Sequence, residues 1–134
     1  MKGVTIIFLI AFSGILFLWC NESDSIVIGN PGGTYRGNIV LFDSLGAVWT
    51  SGTIKITQTN STDLNGSWSF QNGESGRLVG SIDNMKLQIN LNPGFADNNM
   101  FLDGDFDGKT IKGQWYHDSF IGVDNRGTFL ATAF

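Results

Sequence analysis

The chain reads as all-β: a single antiparallel meander of eight strands closed as a small barrel, preceded by an N-terminal hydrophobic signal helix. Three observations predict this. From Gly33 onward, short runs of alternating apolar and polar residues are separated by turn residues, and no stretch shows the 3.6-residue period of an amphipathic helix. An apolar–x–Gly–x–apolar pattern recurs on successive runs, as Leu64-x-Gly66-x-Trp68, Leu78-x-Gly80-x-Ile82, Leu102-x-Gly104-x-Phe106 and Ile111-x-Gly113-x-Trp115. Residues 4–19 form an uncharged apolar run with no apolar partner helix elsewhere in the chain. A two-sheet β-sandwich is the alternative to the barrel.

The N-terminus comes first. Lys2 precedes the apolar run and the acids Glu22 and Asp24 follow it, the layout of a secretory signal. The run falls slightly short of the roughly 20 residues that a helix needs to cross a hydrocarbon core of about 30 Å, so a removable signal is favoured over a permanent span. Cys20, the one cysteine of the chain, ends the run. A lone cysteine excludes an intramolecular disulfide, so the fold must stand on its core. Three segments follow: 1–20 a membrane-targeting segment, 21–32 a polar tether containing Gly and Pro, and 33–134 the barrel.

Eight strands are expected, at 34–42, 49–59, 64–70, 77–82, 85–91, 101–106, 110–117 and 127–132. Side chains alternate across a strand, so the apolar residues and glycines of the repeated pattern share one face. The other face carries Asn65, Ser67, Ser69, Lys86, Gln88, Asn90, Asp103, Asp105, Lys112 and Gln114. Such an exterior does not suit a transmembrane barrel, which needs an apolar outer band. Two-residue turns at Asp83-Asn84 and Asp107-Gly108 set Gly80 opposite Leu87 and Leu102 opposite Gly113, keeping inward residues inward. Asn72-Gly73 does not fit a two-residue turn and calls for a longer loop or a bulge near Gly76. Glycine at the centre of an inward face permits sharp bending and close backbone approach. Repeated on successive strands, it suits closure, which removes aggregation-prone sheet edges.

Two resemblances attach to these residues. The apolar run ending at Cys20 resembles a bacterial lipoprotein signal, although Trp19 stands where a small residue is usual. That resemblance implies lipidation of Cys20 and a membrane-anchored location in the cell envelope, periplasmic or outer-surface. Gly33-Thr34-Tyr35, Gly66-Ser67-Trp68, Gly113-Gln114-Trp115-Tyr116 and Gly127-Thr128-Phe129 resemble the calycin-type small barrels, lipocalin-like and avidin-like. The likeness covers most of residues 33–134. It implies a fold that often holds a small apolar molecule or a protein partner.

Chemistry-bearing residues are sparse. Beyond residue 20 the chain has seven lysines and arginines against twelve acids, a net charge of −5. An acidic domain with scattered cations lacks the basic footprint of a nucleic-acid binder. Asp103, Asp105 and Asp107 match the start of an EF-hand loop, but Gln114 occupies the place of its bidentate Glu. They are a weak metal candidate, and a solvated strand face accounts for Asp103 and Asp105 more simply. His117, the one histidine, is placed inward at the barrel rim by strand parity, with too few companions for a zinc site. Gly-x-Ser-x-Gly is absent. No enzyme activity and no cofactor are expected.

Most aromatic residues should fill the core, since an eight-stranded barrel is just wide enough for side chains or one small ligand. If a pocket opens at one mouth, Trp49, Trp68 and Trp115 are its candidate walls. Phe95, in the polar loop 92–99, is the candidate contact for a protein partner. The expectation is an exported, lipid-anchored, non-enzymatic binding module for a small apolar ligand. The alternative is an envelope interaction or inhibitor protein that grips a protein partner through its loops.

Overall fold

The computed structural model describes residues 28–95 and 97–134, the side chains of Val123 and Asp124 excepted. The targeting segment 1–20, with Cys20, lies outside the described residues, as does the tether up to residue 27. The strands are β1 (Thr34–Phe42), β2 (Val48–Gln58), β3 (Asp63–Phe70), β4 (Ser75–Asp83), β5 (Lys86–Asn90), β6 (Asn98–Phe106), β7 (Thr110–Ser119) and β8 (Gly122–Ala133). Each pairs antiparallel with the next, and β8 returns to β1 from Gly37↔Ala133 to Phe42↔Thr128, closing the barrel. Every strand therefore has a partner on both sides, which is what separates this fold from the sandwich.

Sequence alternation placed the strand centres well and two strand starts badly. β6 begins three residues before Phe101, and β8 begins five residues before Gly127. Asn98, Asn99 and the stretch from Gly122 to Arg126 carry no alternating apolar signal, yet they pair with β7 across the mouth of the barrel.

Both two-residue turns sit one residue further along than the sequence suggests. Asp83 pairs with Lys86, leaving Asn84 (φ 47°) and Met85 (φ 64°) as the left-handed central pair of a primed turn. At the next turn the Asp107 carboxylate accepts the N–H groups of Lys109 (3.0 Å) and Thr110 (2.7 Å). Asp107 thus becomes the residue before the turn, with Gly108 (φ 100°) inside it. The resulting registers are Gly80↔Ile89 and Leu102↔Trp115, each displaced by two residues from expectation. A displacement of two leaves every side chain on its face, whereas a displacement of one would have inverted the strand. The Asn72-Gly73 hairpin has the longer loop: Gly73 (φ 91°) donates to the Phe70 carbonyl (3.1 Å), and the Glu74 carbonyl accepts the Phe70 N–H (2.7 Å).

Glycine is required where neighbouring backbones approach most closely. A Cβ on Gly66 would lie 1.9 Å from the Lys55 carbonyl oxygen, and one on Gly113 would lie 1.9 Å from the Asp103 carbonyl oxygen. Both positions face inward, so missing side chains let neighbouring backbones close a tight circumference.

The two ends differ. At the closed end, where β1 starts and β2 ends, Ile28 is buried and the chain from Gly29 to Gly33 runs over the opening. Residues 28–32, tether by composition, therefore pack against the barrel. Gln58 organises them. Its side chain accepts the Gly29 N–H (2.7 Å) and donates to the Ser61 carbonyl (3.2 Å), while its carbonyl accepts the Gly32 N–H (2.7 Å). Above this plug the interior is filled by buried Tyr35, Ile39, Ile56, Leu64, Leu78, Leu87, Leu102 and Ile111. The Tyr35 ring packs edge-to-face on Phe106 at 5.9 Å and its hydroxyl donates to the Lys109 carbonyl (3.3 Å).

Candidate functional site: the open mouth

At the opposite end the filling stops short of the rim and leaves a cavity of about 770 Å³. Its walls combine Trp49, Trp68, Trp115 and Met100 with a polar set dominated by asparagine: Asn72, Asn92, Asn98, Asn125, Glu74, Ser75 and His117. The three tryptophans singled out as candidate walls therefore line one cavity.

Each tryptophan arrives there for a different local reason. Trp115 points inward by strand parity, is fully buried, and donates its indole N–H to the Phe42 carbonyl at 2.7 Å. Trp68 also points inward, stands opposite Gly76, and donates to the Leu91 carbonyl at 2.6 Å. Its ring leans on Phe70 at 4.7 Å. Trp49 breaks parity. In β2 the even-numbered residues Ile54, Ile56 and Gln58 face inward. A register shift pairs Leu41 with Thr50 and Phe42 with Val48, so Trp49 is the extra residue of a bulge. Bulges re-aim side chains, and this one swings Trp49 over the rim onto Trp115. The two rings lie 4.7 Å apart and 14° from parallel. Trp49 remains 43% exposed and forms the solvent-facing layer of that stack.

The polar wall is assembled by the long ends of β6, β7 and β8. A second register shift, between His117 and Asp118, lies at this same mouth. His117, half-buried at the rim, pairs through Nε2 with the Asn98 side-chain oxygen. The Asn92 side chain donates to the Asn98 carbonyl (2.7 Å), fastening the loop that carries Phe95. Across the mouth Asn72 donates to Glu74 (2.9 Å). In the stretch 92–99 only Phe95 stands out in the sequence, and the wall-forming role of Asn92, Asn98 and Met100 has no periodic signal there.

Phe95 lies at the mouth but outside the cavity, 63% exposed. It has apolar company on other loops of the same end, Leu45 between β1 and β2, and Phe120 with Ile121 between β7 and β8. The acidic trio lies elsewhere. Asp103 and Asp105 occupy the outer face of β6, and Asp107 its closing turn. Asp105 pairs with Lys86 at 2.8 Å, and the Thr110 and Lys109 N–H groups hold the Asp107 carboxyl below its usual range. Partial burial pushes the Asp103 carboxyl up. Among the described residues no group of three His, Cys, Asp or Glu side chains is placed to hold a metal ion.

Fold and site together define a class: a closed eight-stranded antiparallel barrel, plugged at one end and open at the other onto a tryptophan-walled cavity with a polar rim. The architecture is compatible with a calycin-like fold. No family model matches the chain, and neither a curated protein nor a solved structure matches it.

Proposed function

We propose that this protein is a non-enzymatic binding module, exported and held at the cell envelope by a lipid on Cys20, whose small ligand docks in the open mouth. The Trp49–Trp115 stack supports this most directly. A tryptophan raised out of strand parity by a bulge covers Trp115 with one face and is left 43% exposed. It offers a flat apolar surface, held by a buried partner, to a molecule that presents an apolar face of its own. The cavity volume of about 770 Å³ falls within the roughly 300–1,000 Å³ typical of small-molecule sites. Intrinsic tryptophan fluorescence titrated with a panel of small ligands bearing apolar faces tests the reading. A saturable change that disappears in Trp49→Ala is the expected result, and silence across the panel would overturn it. Intact mass of the protein purified from envelopes tests the anchoring: cleavage before Cys20 with added diacylglyceryl mass is expected, and an unmodified cysteine would refute it.

A second reading is a protein partner gripped through the loops. Exposed Leu45, Phe95, Phe120 and Ile121 at the mouth end favour it. Pull-down from envelope extracts with Phe95→Ser and Phe120→Ser decides: partner sets identical to wild type would count against it.

A further inference from the structure

The composition of the mouth narrows what the ligand is. Taking the binding-module reading as its basis, we infer that the occupant is an uncharged saccharide, seated with the C–H face of one ring on Trp49 and its hydroxyls on the asparagine rim.

Four features converge on this class. The first is the platform. Trp49 is held flat by a buried ring 4.7 Å beneath it, itself pinned by the 2.7 Å bond to Phe42. An indole face is electron-rich, so it attracts the weakly positive C–H groups that line one side of a pyranose. A platform already rigid loses little freedom on binding.

The second is the rim. Asn72, Asn92, Asn98 and Asn125 each carry an amide carbonyl that accepts and an amide NH2 that donates, and Glu74 adds carboxylate oxygens. A sugar hydroxyl is both donor and acceptor, so it is satisfied by such mixed groups. An alkyl chain would instead strip water from them and return nothing, at a cost of about 1–3 kcal/mol for each polar group left unpaired.

The third is depth. Below the mouth the barrel is filled by Ile39, Leu102 and their neighbours, all buried. A long acyl tail has no interior to enter and would have to lie across the polar rim.

The fourth is charge. Among the described residues no lysine or arginine lines the cavity, whereas Glu74 does. An anionic ligand would meet the Glu74 carboxylate with no lysine or arginine beside it, which favours neutral sugars over phosphorylated and acidic ones.

Calorimetric titration of the full chain in a non-glycosidic detergent tests the assignment. The probes are neutral sugars (methyl glucoside, cellobiose, maltose, chitobiose), acidic relatives (glucuronate, glucose 6-phosphate) and aliphatic alcohols. Thermal unfolding confirms that each variant is folded. Saturable binding of at least one neutral sugar is expected, weakened roughly tenfold or more in Trp49→Ala and severalfold in Asn98→Ala, with Trp49→Phe in between; the acidic relatives should bind more weakly still. Aliphatic alcohols binding in a Trp49-dependent manner while every neutral sugar fails would overturn the saccharide and leave the binding module standing. Sugar binding unaffected by Trp49→Ala would overturn the placement. Failure of all three probe classes would overturn both.

Discussion

Adding one methyl group to Gly113 should cost this barrel a large part of its stability. The Cβ of Gly113→Ala would sit 1.9 Å from the Asp103 carbonyl oxygen and 2.6 Å from the Gly104 Cα. Contacts below 3.0 Å are essentially never seen for real Cβ atoms, so β6 and β7 must part by about an ångström or more at this point. Gly104, directly opposite in the ladder, has the Phe129 ring on its inner side, so close that a Cβ there would lie 2.7 Å from it. Overpacking of a tight interior costs about 1–3 kcal/mol. Pulling the strands apart weakens about two ladder hydrogen bonds worth roughly 1 kcal/mol each. The total is about 3–5 kcal/mol, set against the roughly 5–15 kcal/mol typical of a whole domain. Urea unfolding followed by tryptophan fluorescence measures it, and the thermal midpoint should fall by roughly 10–20 °C. Gly94→Ala is the control, since nothing lies within 4 Å of its added Cβ, and it should stay within about 0.5 kcal/mol of wild type. A Gly113→Ala protein within about 1 kcal/mol of wild type would refute the claim that inward glycines permit closure.

Three further outcomes follow from the closed end and the turns. Burial, with the Asp107 charge adding to it, pushes the Tyr35 phenol up to about 12 from an ordinary value near 10. The folded state then holds a proton that the unfolded chain releases, so stability is full below pH 10 and declines by roughly 2–3 kcal/mol between pH 10 and 12. Denaturation series in that window should show this slope reduced in Tyr35→Phe, leaving the contribution of Tyr116, which burial also raises; an unchanged slope would contradict it. Met85 adopts φ 64°, where a side chain is strained. Met85→Gly should therefore stabilise by about 0.5–1 kcal/mol in urea unfolding, and a loss of stability would contradict it. Gln58→Leu leaves the Gly29 N–H without its partner and should cost about 1–3 kcal/mol. Faster amide exchange at Gly29 and Gly32 should accompany it, and unchanged exchange there would argue against the plug.

What could be read from the sequence was whatever depended on period and parity. Leu64-x-Gly66-x-Trp68 and its repeats mark inward faces through alternation alone, and that property survives any displacement of a hairpin by two residues. The turn positions did not survive, because Asp107 acts through its side chain on the N–H groups of Lys109 and Thr110, a contact that the Asp-Gly pair does not disclose. Trp49 shows the limit on the site. Strict alternation turns it outward, and only the bulge opposite Leu41 and Phe42 brings it onto Trp115. Asn98 and Asn125 are ordinary polar residues in sequence. Their place in the mouth depends on β6 and β8 running beyond their apolar segments to stay paired with β7. Ile28 is not legible as a core residue, because a single apolar position amid Gly, Asn and Pro has no period at all.

On the proposed reading the molecule works at its open mouth. The indole N–H signals of a ¹⁵N-labelled sample, followed during addition of cellobiose, test that most directly. Trp115 and Trp68 donate to the Phe42 and Leu91 carbonyls, so their indole protons should exchange slowly with solvent throughout. On titration the Trp49 signal should move most, together with amides at Asn92, Asn98 and His117, while Gly29, Tyr35 and Gln58 at the plugged end stay still. Shifts centred on the plugged end, or on the outer face of β6, would contradict the account.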